Sequence, residues 1–192
     1  MNIENELKIA KSAAFKAGSL LLKEKNILTK ALSVSRRDIK LQADIYSENL
    51  IKDMISSESI YPILAEESGK SQENLEDIYW VVDPLDGTAN YSRGLPLCCV
   101  SIALMRRMVP VMGVVYDFNN KDLYEGHING DAKLNNTLIS VSNINNPNDG
   151  ILVTGLPNKT DYSDKALLRM VKDFQQWKKV RMIGSAAIAS CY

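Results

Sequence analysis

Cysteine and histidine are scarce in this 192-residue chain, and neither sign of charge is in excess. Its three cysteines are Cys98, Cys99 and Cys191; adjacent cysteines rarely bond to each other, and no CxxC or Cys/His grouping offers zinc a site. All three thiols are therefore expected reduced, in a cytoplasmic protein. The lone histidine, His127, has no Ser or Cys motif beside it, and there is no G-x-S-x-G elbow, so covalent nucleophilic catalysis is poorly supported. Lys and Arg number 23 and Asp and Glu 23, a formal net charge of zero. Binding to a phosphate backbone needs a basic excess or stripe, and the longest basic runs are the pairs Arg36-Arg37, Arg106-Arg107 and Lys178-Lys179, which argues against a nucleic-acid partner. The most apolar stretches, Cys98–Met105 and Met108–Tyr116, fall far short of the roughly 20 residues of a membrane span, and the N-terminus has no apolar signal core, so no membrane partner is expected.

What is present reads as a folded domain. A chain of this length can bury about 70% of its extended-chain surface, enough for one core without staples. Residues 3–25 carry Ile3, Leu7, Ala10, Ala14, Ala17 and Leu21 at three- and four-residue steps, which predicts an amphipathic helix. A second helix is expected over Asp44–Ser57, with Leu50, Ile51, Met54 and Ile55 on one face. Short apolar runs bounded by turn formers follow at Tyr61–Leu64, Ile78–Val82, Leu97–Met105 and Val111–Phe118, and predict strands; Asp122–Gly126, Thr137–Val141 and Gly150–Thr154 are weaker candidates. Asn143–Gly150 reads as a loop, 162–177 as a helix, Lys179–Ile183 as a strand, and Ser185 as the cap of a last short helix. Helices followed by hairpin-like strands suggest an α+β fold with a largely antiparallel sheet.

The richest segment for chemistry is Trp80-Val-Val-Asp-Pro-Leu-Asp-Gly-Thr-Ala-Asn-Tyr91. A hydrophobic strand delivers Asp83 to its end, where Pro84 is expected to stop ladder pairing and set a tight turn. Asp86 follows three residues on, with the Leu85 carbonyl between the two carboxylates. Gly87 permits close approach of a ligand, and Thr88 is placed to cap a helix. Two carboxylates and a carbonyl suit a hard divalent cation such as Mg²⁺, and helix-start N–H groups suit a phosphate. Asp-Pro-x-Asp-Gly is equally a good surface turn, and these residues alone leave both readings open. A second acidic group, Ala65-Glu66-Glu67-Ser68, after another short apolar run tips the balance toward a site at strand ends. Gly69-Lys70-Ser71 lacks the leading glycine of a P-loop, and Pro84 stands where a haloacid-dehalogenase motif needs its first Asp.

Asp83-Pro-Leu-Asp-Gly-Thr-Ala-Asn90, with Ala65-Glu-Glu-Ser68 upstream, resembles the signature of the inositol monophosphatase family of metal-dependent phosphatases. Asp38-Ile-Lys-Leu-Gln-Ala-Asp44 is similar to that family's Asp-x-Val-Thr-x-x-Asp segment. Gly94–Ile102, Gly130–Asn135 with Ile139–Ser142, and Arg181-Met-Ile-Gly-Ser-Ala-Ala187 match further elements in family order. The resemblance implies a layered sugar-phosphatase-type fold. It implies that Glu66, Asp83 and the Leu85 carbonyl hold a first Mg²⁺, that Asp83 and Asp86 reach a second, and that two or three ions bind, with sensitivity to Li⁺. Asp44, Glu67 and Thr88 would lie around the attacking water. Asp86, Gly87, Thr88, Ser185 and Ala186 would contact substrate, Gly87 and Thr88 holding the phosphate and Ala186 lining a ring pocket.

Two departures stand out. The family's Val-Thr is Lys40-Leu41 here, which removes a hydroxyl near the site. The family also continues past Gly-Ser-Ala-Ala to a Trp-Asp-x-Ala-Ala-Gly motif that is not in this sequence, so the expectation is one domain, 1–192, lacking its C-terminal layer. The expected function is a phosphomonoesterase acting on a small phosphorylated metabolite, an inositol monophosphate first, with a homodimer possible. The alternatives are a 3′(2′),5′-bisphosphate nucleotidase and an inactive remnant serving as a binding or structural module.

Overall fold

The computed structural model describes residues 1–34, 39–73, 75, 77–156 and 160–192. Asp38, and with it the start of one matched segment, lies outside the described residues, as does the pair Arg36-Arg37.

Helix α1, Ile3–Lys23, starts at Asn2, whose side chain accepts the Asn5 N–H. Glu4 and Glu6 sit in its first turn and Lys23 in its last, each at the end of the helix dipole that favours its charge. Its buried face is lined by Ala10, Ala13, Ala14, Ala17 and Leu21. These small side chains let the helix lie close on the sheet; at Gly18 a Cβ would stand 2.7 Å from the Phe118 Cβ and the Tyr116 ring. Ile3 and Leu7, expected on the stripe, are only partly buried, while Ile9 takes a core position. A one-turn helix, α2 (Lys25–Leu28), leads to a hairpin of β1 (Ala31–Val34) and β2 (Ile39–Leu41).

Helix α3, Gln42–Glu58, begins two residues before the expected start, because the Asp44 carboxylate accepts the Leu41 N–H at 2.6 Å and satisfies a donor just ahead of the first turn. Ile51 and Ile55 are fully buried; Leu50 and Met54 flank them. The main sheet follows: β3 (Ile63–Ala65), β4 (Gly69–Lys70), β5 (Ile78–Asp86), β6 (Cys99–Arg106), β7 (Val109–Asp117), β8 (Asp122–His127), β9 (Lys133–Leu134) and β10 (Thr137–Leu138). The spatial order is β10-β9-β8-β7-β6-β5-β3-β4, antiparallel throughout except for the β3–β5 pair. α1 packs on α3 and on β6 and β7, and α3 on β5, so both helices cover one face. Helix α4 (Thr88–Ser92) sits between β5 and β6.

The remaining chain is thinner. β11 (Ile151–Thr154) and β12 (Lys179–Met182) form a two-stranded parallel sheet, since α5 (Asp164–Phe174) carries the chain back between them. α6 (Ala186–Cys191) follows, capped by Ser185 Oγ accepting the Ile188 N–H, as its sequence predicts. Only Thr137–Leu138 of the expected strand 137–141 forms, and the helix over 162–177 is trimmed to eleven residues. No helix among the described residues is long and apolar enough to cross a membrane.

Candidate active site

The sheet brings two acidic strand ends together because β3 and β5 run parallel. Ala65 pairs with Val82, and the Glu66 N–H reaches the Val82 carbonyl at 3.0 Å, so Glu66 and Asp83 leave the sheet side by side. Pro84 does not end the strand, contrary to the expected turn. β5 continues to Asp86, and between the Asp83–Ser101 and Asp86–Cys99 pairs Pro84 and Leu85 oppose Val100 alone. That is a β-bulge, which absorbs the missing proline donor. It also has a chemical consequence. Residues three apart on a regular strand point to opposite faces, and the extra residue returns Asp86 to the side of Asp83. The kink is fixed by the Leu85 N–H donating to Asp83 Oδ1 at 3.1 Å and by Ser47 Oγ donating to the Pro84 carbonyl at 2.9 Å.

Gly87, not Thr88, is the N-cap of α4. It adopts φ +93°, and a Cβ there would stand 2.6 Å from the Leu97 carbonyl oxygen, so glycine is required twice over. Thr88 is the first helical residue; its Oγ1 lies 3.0 Å from both Asp44 Oδ1 and the Leu85 carbonyl and shares its one proton between them. Asp86 is gripped from far along the chain: Oδ2 accepts from Ser185 Oγ at 2.6 Å and the Ala187 N–H at 2.7 Å, and Oδ1 from the Ala186 N–H at 3.3 Å. Asn90 holds that segment in place by donating through Nδ2 to the Leu97 and Ile183 carbonyls, both at 2.7 Å.

α3 supplies the floor. Asp44 and Glu48 stand one turn apart, and both are buried. Glu48 accepts the Glu67 N–H at 2.7 Å and the Ser68 N–H at 3.1 Å, which orients the loop after β3. The Glu67 side chain then turns to the Lys40 ammonium at the end of β2. Lys40, Ser47, Glu48 and Asn90 are residues of this region that sequence reading left without a role. Glu48 carried a usable signal, since it lies four residues after Asp44 on the same helix face.

Burial pushes the Asp44 carboxyl up to about 6, against the hydrogen bonds from Leu41 and Thr88 and with added repulsion from Glu67 and Glu66. Burial likewise raises Asp83 well above the usual carboxylate range, with repulsion from Glu66 and Asp86 and a hydrogen bond shared with Glu66 adding to it. The hydrogen bond to Glu67 raises the Lys40 ammonium in turn, against its own desolvation.

Among the described residues no three His, Cys, Asp or Glu side chains already converge on one point. The donors nevertheless fit a hard cation. They are all oxygen, and beside burial it is the carboxylates of Glu66 and Asp86 that raise Asp83, a repulsion that a bound cation relieves. Glu66, Asp83, the second lone pair of the Leu85 carbonyl and Asp86 are the residues that can hold one.

These features define a class: an α+β protein with a carboxylate-rich pocket where strands of a mostly antiparallel sheet end. The chain belongs to the inositol monophosphatase family, whose model matches residues 2–192. It is 35% identical over 190 residues to Nus factor SuhB of Pasteurella multocida, covering 97% of this chain and 71% of that protein. The corresponding Escherichia coli protein, also named Nus factor SuhB, is 34% identical over the same shares. Among solved structures, an inositol monophosphatase from Anabaena superposes with a TM-score of 0.85 at 32% identity, covering all of this chain and 71% of that one. An extragenic suppressor protein suhB from Bartonella henselae gives 0.86 at 28% identity, covering 96% and 72%. The family is one of phosphatases and is generally metal-dependent.

Proposed function

We propose that this chain hydrolyses a small phosphorylated metabolite, an inositol monophosphate first among the candidates, using Mg²⁺ and a water nucleophile in the cytoplasm. The observation that carries the reading is the bulge at Pro84, which turns Asp83 and Asp86 to one side next to Glu66 and gathers carboxylates whose mutual repulsion a cation would relieve. When bound, Mg²⁺ supplies charge neutralisation for the phosphate and its leaving oxygen and lowers the pKa of water. Thr88 spends its proton on Asp44 and Leu85, so its oxygen lone pairs remain to accept from the attacking water. Asp44, raised to about 6, is poised near neutrality to take that proton through Thr88. The Gly87 and Thr88 N–H groups orient the phosphate, and Ser185 and Ala186, fixed on Asp86, border the rest of the substrate. No covalent phosphoenzyme is required. Two or three ions, inhibition by Li⁺ and a homodimer belong to the same proposal by family likeness.

Phosphate release from inositol 1-phosphate, 3′-phosphoadenosine 5′-phosphate and fructose 1,6-bisphosphate, with Mg²⁺ and with EDTA, tests it. Turnover of the inositol ester, abolished by EDTA, is expected; preference for the nucleotide moves the chain to the bisphosphate nucleotidases, and activity in EDTA refutes the metal mechanism. Asp83→Asn should lower the rate about a thousandfold, the several kcal/mol that a metal centre contributes to charge stabilisation, with the fold intact.

The relatives' name favours a second reading. Nus factor is a name that does not itself state ester hydrolysis, and a chain with no phosphatase turnover but an intact fold would be a binding module. Absence of turnover on all three esters, with Mg²⁺ bound, is the result that selects it.

A further inference from the structure

Position 40 is where the matched segment departs from its family, and the structure shows what the departure does. The β1–β2 hairpin ends at Lys40 and Leu41, immediately before α3, so the Lys40 side chain enters the acidic pocket from the side of α3. Its Nζ pairs with the Glu67 carboxylate, and the Lys40 side chain is only 34% exposed and that of Glu67 14%. Buried Glu48 holds the N–H groups of Glu67 and Ser68, which fixes the backbone that carries the Glu67 side chain to Lys40. Asp44 and Glu48 face the same ammonium and add to its field. Lys52, 3.9 Å from Glu48 and bonded to Ser68, is a second cation beside Glu48.

We propose that Lys40 is a built-in counter-cation: paired with Glu67 beside the carboxylates that can hold metal, it weakens the binding of a divalent ion there. This rests on the metal-site reading of Glu66, Asp83, Leu85 and Asp86. Lys40 acts through Glu67, as a residue that sets metal loading, not as a catalytic group. An ammonium and a doubly charged ion about 4 Å apart repel enough, even with the screening of bulk water, to weaken binding roughly thirtyfold. With a side chain one third exposed and able to swing aside, about tenfold is the expected size.

The test is direct metal binding to the full chain: Mn²⁺ titration followed by the electron paramagnetic resonance of the free ion, and Mg²⁺ titration by calorimetry. Lys40→Met should tighten the weakest class of sites about tenfold, or add about one Mn²⁺ per chain at a fixed concentration. Lys40→Arg, which keeps the charge, should bind as the parent does, and the Lys40→Met, Glu67→Gln double variant should lose the gain. Lys40→Gln serves the same comparison should Lys40→Met not fold, as judged by circular dichroism. Unchanged binding in the uncharged variants, beside a parent that does bind Mn²⁺, overturns the role of Lys40 and leaves the metal site standing. No Mn²⁺ binding in any variant overturns both.

Discussion

The first 123 residues and the last 69 are built differently. Almost every fully buried hydrophobic residue lies between Ile9 and Leu123, whereas beyond Leu123 only Gly150, Ser185 and Ile188 are buried among the described residues. In the first region α1 and α3 close one face of the sheet over Trp80, Ile102 and Leu104. In the second, α5 has an apolar side whose Leu168 and Val171 are 63% and 49% exposed. The candidate site lies on the seam. Asp83 and Asp86 come from the densely packed region, and the groups that hold Asp86, Ser185 to Ala187, come from the sparse one. Fixed charge is thus carried by the densely packed part, while the segment proposed to border a substrate hangs on a few polar bonds.

The largest effect that sharpens this contrast is expected at Ile102, fully buried in β6 with α1 packed over it. Ile102→Ala removes three carbons from a site that cannot collapse, and about 2–5 kcal/mol of stability should be lost, read as the shift in denaturant midpoint at constant slope. A loss below 1 kcal/mol would mean the dense region is looser than its burial states.

Asn90 is the strap across the seam. Asn90→Ala leaves the Leu97 and Ile183 carbonyls without their donor, at a cost of about 1–3 kcal/mol. The informative readout is local. Amide exchange at Ala186 and Ala187 should accelerate well beyond that in β6, because their N–H groups are kept on Asp86 only while Asn90 holds the approach to α6. Equal acceleration in both places would deny that the two regions are separately stabilised.

How much of this was readable in advance differs between the regions for the same physical reason. α1 and α3 announce themselves because a buried face imposes a 3.6-residue period, and β6 and β7 because they are apolar and bounded by turns. The acidic pair 83 and 86 was legible because its chemistry is local in sequence. The way Pro84 brings them together was not: proline forbids a ladder donor, but a bulge and a turn both satisfy that, and only the β6 register distinguishes them. The grip of Ser185 on Asp86 spans 99 residues, and the capping rule that correctly places Ser185 says nothing about a second bond from the same hydroxyl. Lys40 was legible only as a departure from a pattern, since its meaning depends on Glu67 arriving from another strand. In the sparse region α5 keeps a clear apolar side, but with no packed core to mark where elements end, the expected strand 137–141 and the helix over 162–177 overran.

Acidity tests the seam as a whole. Asp44 is raised from 3.8 to about 6 and Asp83 is raised further in the same direction, so without metal both favour the folded state most when protonated. A raised folded pKa gives stability that is complete below the unfolded value and is lost as pH climbs through the folded one. The metal-free chain should therefore melt lower at pH 7 than at pH 5, by roughly the 2–4 °C that about 1 kcal/mol is worth at this size. Saturating Mg²⁺ should raise Tm more at pH 7 than at pH 5, because binding has less of the proton on Asp83 to displace at the higher pH. A Tm that rises from pH 5 to pH 7 in EDTA would show that other carboxylates, paired in the fold, dominate the balance.

The smallest expected effect completes the comparison. Leu168 is a leucine on a helix, as Leu104 is a leucine on a strand, but it is 63% exposed where Leu104 is fully buried. Truncation to alanine removes the same atoms in each case, so composition predicts equal costs and burial predicts very different ones. Leu168→Ala also trades one strong helix former for another inside α5, so propensity changes little. Its cost should stay within about 0.5 kcal/mol, the range of substitutions that touch no packed feature. A loss comparable to that at Ile102 in the isolated chain would mean that the apolar side of α5 is covered in solution, and the second region would then be as well packed as the first.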